Sequence, residues 1–505
     1  MRKPSAKLII TTILLNAGLI TCAGIQNKVQ AFTDKQNWKL PKDSQEVLIQ
    51  NELEITKDNI KNLIEQNNPE IEIMKSKIKQ AKFDLRSELS AWYPNLDISG
   101  SGLPQYLAGS TDKNSSADTS SKQWKANLSA TVRWYLINPA RIPDIEAAKD
   151  KLENAKISYE IKLRDLYLEG LKQFFQLQKS NQEVRIAKDS ILTSETSLKE
   201  AEVRLDVGIG TKFEVLEAQT QLSKDKQLLS KKSGELKINQ RKLANILNLN
   251  STTNPIITSK TAIIGLWDTS LEESILSAYS FQKEIEKLIL KVSINNNQAN
   301  SALAAIQPKL SIFNTYTTSF AKGEVAVADP DTGNEVFSES NTIGLQFDWK
   351  VFDGGYGKSI YKSKKEKSKE LEFDIELKKK QIREEIEESF FNLEIAKQNI
   401  SNTYNEIISA RESLRLALLR LKAGITTQRE VVTNQRDLTQ AEVNYIIAIT
   451  DYNSNLVNLR RETGIERLKG CNKRTDANPR QENNNVDKSI VINTEKMASP
   501  CIELL

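Results

Sequence analysis

The stretch Arg204-Leu205-Asp206-Val207-Gly208-Ile209-Gly210-Thr211 decides the fold, because Arg420-Leu421-Lys422-Ala423-Gly424-Ile425-Thr426-Thr427 repeats it 216 residues later. In both copies a glycine stands where a long helical pattern stops, and glycine supplies the left-handed residue that closes a helix. Before the first turn, Val184, Ala187, Ile191, Ser194, Leu198, Ala201 and Leu205 step alternately by three and four, with one small polar member. Ile407, Ala410, Leu414, Ala417 and Leu421 do the same before the second turn, and Leu438, Ala441, Tyr445, Ala448 and Tyr452 continue the pattern beyond it. This spacing is the heptad seam of paired helices. No proline falls between Pro143 and Pro255, or between Pro330 and Pro479, so nothing breaks these helices. A helix from about residue 144 to residue 206 would be ~90 Å long, beyond an ordinary globular domain.

Other landmarks keep nearly the same offset. Pro94 of Trp92-Tyr93-Pro94-Asn95-Leu96 and Pro308 of Ile306-Gln307-Pro308-Lys309-Leu310 lie 214 residues apart, and Trp134 and Trp349 lie 215 apart. A drift of two positions across three landmarks indicates a duplication. Each half reads as helix, strand pair, long helix, tight turn, long helix.

The strand segments have a period of two. Trp124, Ala126, Leu128, Ala130, Val132 and Trp134 alternate with polar residues, as do Ile343, Leu345, Phe347, Trp349 and Val351. Segments of ~10 residues with one apolar and one polar face are the signature of transmembrane β-strands. Leu128, Val132, Trp134, Leu345, Phe347 and Trp349 are the expected lipid-facing residues. Their partners, Leu96 to Tyr106 and Leu310 to Phe320, alternate less cleanly, and polar loops are expected at 108–122 and 321–340. An amphipathic hairpin packed on a soluble core is the alternative. Four strands cannot close a barrel, and an open edge in lipid leaves backbone groups unpaired at several kcal/mol each. Three copies would supply 12 strands.

Composition narrows the function. The 505 residues allow about three domains at ~150 residues each. Lys+Arg 71 against Asp+Glu 66 gives a net charge of +5. Four of the positive charges (Arg2, Lys3, Lys7, Lys28) stand in the first 31 residues, where there is no acid. The remainder is nearly neutral and gives no sign of a nucleic-acid surface. A mean hydropathy of −0.48 is too polar for a helical membrane protein. The absence of histidine excludes His-based acid/base catalysis, His-dependent nucleophiles and the usual histidine zinc sites. No metal motif is present, and with three methionines a soft-metal cargo is disfavoured.

Arg2, Lys3 and Lys7 precede an apolar run from Leu8 to Ile25, and Val29-Gln30-Ala31 places small residues before Phe32. That is a signal peptide over residues 1–31, with lipid attachment at Cys22 as the alternative. The expected organisation continues with an N-terminal extension (32–55), a first repeat (56–250), an inter-repeat linker (251–270), a second repeat (271–465) and a flexible tail (466–505). Cys471 and Cys501 stand in that tail, bridged or reduced.

The Asn68-Pro69-Glu70 helix start, the Trp-Tyr-Pro and Ile-Gln-Pro strand starts and the paired R-L-x-x-G-I-x-T turns together resemble the TolC family of outer-membrane efflux proteins. The resemblance covers roughly residues 56 to 465. It implies an α+β membrane protein: a homotrimer with a 12-stranded transmembrane β-barrel, four strands per chain, in the outer membrane of a Gram-negative-type bacterium. The barrel would continue into a long α-helical coiled-coil tunnel in the periplasm. It implies a passive duct of a tripartite efflux or type I secretion system, with a periplasmic adaptor (membrane fusion) protein and an inner-membrane pump or ABC transporter as partners. No enzymatic activity, cofactor or nucleic acid is expected. The alternative is a periplasmic coiled-coil adaptor or scaffold without a channel.

The resemblance also assigns sites. Val207, Gly208, Ile209 and Thr211, with Ala423, Gly424, Ile425 and Thr427, correspond to the helix tips that meet the adaptor. Two ordinary glycine-capped turns are the bland reading of the same residues. Family members place acids just after the second tip, where the tunnel narrows. Glu430 occupies the first such position, the next falls on Thr433, and Glu214 and Glu217 are the first-half equivalents. A solvated surface acid is the other reading of Glu430. Asp353-Gly354-Gly355-Tyr356-Gly357-Lys358-Ser359 ends like a phosphate loop but has Phe352 where its first glycine belongs, so it reads as a strand-to-helix turn. The runs Lys364-Lys365 and Lys378-Lys379-Lys380 read as solvated helix faces.

Overall fold

The structure, a computed structural model, describes residues 43–111, 119–323 and 335–465. The expected signal peptide, Cys22, Phe32 and the tail with Cys471 and Cys501 lie outside the described residues.

The described residues divide into two compact units, one made by 43–53 with Leu249–Asn254, the other by Glu54–Asn248 with those from Pro255 to residue 465. Strands β1 (Asn51–Glu54) and β4 (Thr253–Ile256) belong to a two-stranded sheet. In the small unit Gln50 and Asn51 donate their backbone N–H groups to Thr252 O at 2.9 and 3.2 Å.

The large unit starts with α1 (Ile60–Asn67) and α2 (Pro69–Leu89), then β2 (Asn95–Thr111) and β3 (Thr119–Ile137), then α3 (Arg141–Asp206) and α4 (Lys212–Ile246). The same order follows again: α5 (Leu271–Phe281), α6 (Lys283–Ala304), β5 (Lys309–Gly323), β6 (Glu335–Asp348), α7 (Tyr356–Lys422) and α8 (Gln428–Thr463). The four long strands form one antiparallel sheet in the order β2-β3-β5-β6. Helices α3 and α7, of 66 and 67 residues, are each about 100 Å long at 1.5 Å per residue. No described helix is long and apolar enough to cross a membrane.

Local chemistry explains the boundaries. Asn68 caps α2 by accepting from Glu70 N at 2.8 Å, with Pro69 in the first helical position where no N–H is needed. Its amide also donates to Ile246 O at 2.8 Å, which ties α2 to the end of α4. Helix α3 begins a few residues earlier than periodicity suggested and keeps Pro143 in its first turn. Strands β2, β3, β5 and β6 have 17, 19, 15 and 14 residues, so they run well into the segments expected as loops. The ladder needs only backbone groups, and polar side chains do not end it.

The apolar periodicity becomes the core. Leu393, Ile400, Ile407, Leu414 and Leu421 of α7 share one cluster with Leu438, Ala441, Tyr445, Ile449 and Tyr452 of α8. Residues 262–267, within the segment expected as a linker, pack against these helices. Asn453 donates to Ala262 O at 2.8 Å and accepts from Ile264 N at 3.1 Å, and the Tyr452 hydroxyl donates to Gly265 O at 3.1 Å. Burial pushes the Tyr452 phenol up to about 12.

The expected lysine faces are only partly solvated. Lys364 and Lys365 of α7 reach Gln298 and Asn296 of α6 at 2.9 and 3.0 Å. In the Asp353 turn, the carboxylate accepts from Gly355 N and Gly357 N at 2.9 and 2.7 Å, so the donors a phosphate would use are already engaged.

Near the end of α8, burial and the nearby Glu385 push the Glu462 carboxyl up to about 7, against the opposing influence of Ser389, Arg461 and Lys172. A carboxyl raised above its unfolded value favours the protonated folded state. Its full contribution is therefore present below about pH 4.5 and is lost as the pH rises toward 7, a difference of up to about 3 kcal/mol. We expect Glu462→Gln to raise the unfolding temperature at pH 8 and not at pH 4.5. Equal shifts at both pH values would contradict the linkage.

Candidate functional site

The sheet has two chemically distinct faces. Its register aligns Trp134, Ile312 and Leu345 in one row and Leu96, Val132, Asn314 and Ile343 in the next. On this face Val132 is 42% exposed, Leu345 66% and Ile343 72%, so a broad apolar surface lies open. Leu128, half-buried between Gly100 and Thr318, belongs to the same face, as does Phe347. Trp349 does not belong to the strand: β6 ends at Asp348, paired with Lys309. The residue before Lys309 is Pro308, which has no N–H to extend the ladder.

The opposite face is joined by polar side chains. Ser99 and Ser129 hydroxyls lie 2.8 Å apart, Thr131 and Thr315 3.0 Å, and Ser319 and Ser338 2.6 Å. Arg133 donates to Gln346 Oε1 across two strands at 2.5 Å. An apolar exposed face backed by a hydrogen-bonded polar face suits a sheet between lipid and a water-filled lumen.

At the far end of the long helices the two turns share one geometry. Gly208 and Gly424 have φ of +79° and +70°. Ile209 N donates to Arg204 O at 3.0 Å and Ile425 N to Arg420 O at 2.9 Å, which satisfies carbonyls the helices leave open. Val207, Ile209 and Ile425 are exposed, as is Phe213, which the sequence reading did not single out. Beneath the first turn, Ala201, Val215 and Ala218 form a small core with Leu198 and Leu205.

The acids after the turns behave differently from one another. Thr211 and Glu214 make a reciprocal capping box, with Glu214 N to Thr211 Oγ1 at 3.3 Å and Thr211 N to Glu214 Oε2 at 3.1 Å. Thr427 and Glu430 have the same three-residue spacing, yet Thr427 makes no side-chain cap. The Glu430 carboxylate accepts instead from Arg420 at 2.7 Å and from the Thr426 hydroxyl. Glu217 is paired across the hairpins by Arg429 at 2.9 Å, and the Arg429 guanidinium lies 5.5 Å from the Phe213 ring centroid. Gln428, only 1% exposed, reaches Ser197 of α3 at 2.5 Å. Arg429 and Gln428 are thus the residues that sequence reasoning missed, and Arg420, though part of the repeated turn, was given no role. They carry no periodic signal, and their partners are more than two hundred residues away or on the far side of a turn.

Residues 61–249 and 278–464 match the family model described as outer membrane efflux protein. The chain belongs to the outer membrane efflux protein family. Its members are passive outer-membrane channels rather than enzymes, and this efflux protein is such a channel, resident in the outer membrane. The fold is similar to that of the outer-membrane channel OprN, with a TM-score of 0.65 at 15% identity, covering 81% of this chain and 89% of that one. VceC from Vibrio cholerae gives 0.65 at 14% identity over 81% and 96%. CmeC from Campylobacter jejuni gives 0.64 at 15% over 85% and 94%. At these identities the likeness is one of fold. No curated protein sequence matches the chain. The two family-model matches correspond to the two halves of the efflux protein's element order, and the adaptor-without-channel alternative is not favoured.

Proposed function

We propose that three copies of this outer membrane efflux protein pool their sheets into a 12-stranded barrel that continues into a helical periplasmic tunnel. The observation that carries this reading is the sheet itself, which ends in two open edges, β2 and β6, and bears an exposed apolar face. In lipid those edges need partners, and copies of the same chain supply them. The two halves are tandem repeats, and residues 1–31 act as the export signal. The duct is the outer-membrane part of a tripartite efflux or type I secretion system. An inner-membrane pump or ABC transporter drives it through a periplasmic adaptor.

The adaptor meets the two turns through Val207, Ile209 and Ile425, apolar residues held exposed by Gly208 and Gly424. Glu430, Glu214 and Glu217 follow these tips on the returning helices. Each is engaged within its own chain, by Arg420, Thr211 and Arg429 respectively. Their charge at the tunnel entrance is therefore partly compensated.

Two measurements test the reading. Native mass analysis of the detergent-extracted protein should return a trimer, and planar bilayers should show long-lived conductance. A monodisperse monomer without conductance would reject the barrel. Ile209→Asp combined with Ile425→Asp should abolish cross-linking to the adaptor in whole cells while leaving trimer and conductance intact.

A further inference from the structure

A cavity of about 330 Å³ opens between α1, α3, α5 and α8, far along the helices from the turns. It is at the small end of the range for ligand sites. Leu168, Leu171, Phe281 and Val457 line its apolar part, and Lys61, Arg164 and Arg460 contribute positive charge. Glu160 is the one carboxylate among its described lining residues.

The charges are unequally satisfied. Arg461, also at this cavity, is engaged by Asp165 and Glu284 at 2.6 Å each. The Arg164 guanidinium stacks on Phe281, 4.1 Å from the ring centroid, and makes no ion pair with a described residue. Arg460 Nε is buried without an acceptor among the described residues. Neither the Arg164 nor the Arg460 side chain is ion-paired with a described residue, and charge-assisted hydrogen bonds from arginine to an anion are among the strong ones. Gly464 forms one wall: its φ is +71°, and an added Cβ would lie 2.1 Å from Phe281 Cγ. The wall is therefore bare backbone against the ring.

We propose that this cavity binds a single-chain amphiphilic anion, a carboxylate or sulfonate on a short apolar tail. The headgroup meets Arg460 and Arg164, and the tail lies on Leu168, Leu171 and Val457. Charge alone or apolar area alone is insufficient, because the cationic groups and the apolar floor belong to one concavity. The site lies away from the tips, and its failure leaves the proposed function untouched.

Calorimetric titration of the full-length protein in maltoside tests this with octanoate, and with acetate and octyl glucoside as the charge-only and tail-only controls. Heats are corrected against protein-free micelles. One octanoate per chain is expected, bound at least tenfold more tightly than either control. Arg460→Gln and Arg164→Gln should each weaken octanoate about tenfold. Arg460→Lys should retain part of the affinity, and Arg436→Gln on an exposed part of α8 should change nothing. Trimer mass checks that each variant is folded. Octanoate binding no tighter than octyl glucoside, or unchanged in the folded Arg460→Gln and Arg164→Gln variants, would overturn the proposal. So would the absence of binding because a neighbouring copy or the chain's own segment fills the cavity.

Discussion

Replacing Ile343 by arginine is expected to remove the detergent-resistant trimer from the outer-membrane fraction, whereas Thr342→Arg is expected to leave it in place. The two positions are adjacent on β6 and face opposite ways. Ile343 is 72% exposed in the row that contains Val132 and Leu96. Thr342 pairs with Thr315, whose hydroxyl bonds Thr131 on the polar face. An arginine facing lipid costs up to about 2–4 kcal/mol per chain, depending on depth, and a lumen-facing one costs little. A trimer carries the substitution three times, so the loss is multiplied in assembly. Heat-modifiability on gels and membrane fractionation read the outcome. Equal behaviour of the two variants would mean that the faces are not lipid and lumen.

The second large effect concerns Arg461. Its side chain is 18% exposed, and the guanidinium donates to Asp165 through Nε at 2.9 Å and through a terminal nitrogen at 2.6 Å, with Glu284 also at 2.6 Å. It therefore ties α8 to α3 and α6 at one point. Glu284 is only 19% exposed, so removal of the cation strands a largely buried carboxylate. Breaking a buried pair from one side costs about 3–5 kcal/mol, most of it the unpaired charge. Arg461→Met should therefore lower the unfolding temperature of the protein sharply, and adding Glu284→Gln should recover part of the loss. If the double variant is no more stable than Arg461→Met, the penalty lies in packing and not in charge.

The tips show where sequence reasoning stopped. Thr211-x-x-Glu214 and Thr427-x-x-Glu430 carry the same capping signature, and only the first forms the reciprocal cap. Arg420, one helical turn before Gly424, lies close enough to take the Glu430 carboxylate. The choice between a local cap and an ion pair across the turn is made by geometry that a pattern of residue types does not contain. The same holds for Glu217, whose partner Arg429 belongs to the other hairpin.

What the sequence determined by itself is what local physics controls. The three-four spacing set the long helices, Gly208 and Gly424 set their ends, and alternation along β3 and β6 set which face is apolar. Each of these depends on residues within a turn or a strand of one another. The tertiary structure decided what depends on distant partners. It extended the strands past their apolar parts because a neighbouring backbone was available to bond, and it ended β6 at Asp348 because Pro308 offered no donor to Trp349. It laid residues 262–265 across α8, paired Glu430 and Glu217 with arginines, and left Arg460 beside an apolar cavity. These outcomes turn on which groups meet after folding, since a hydrogen bond or a desolvated charge is settled by its nearest neighbours in space.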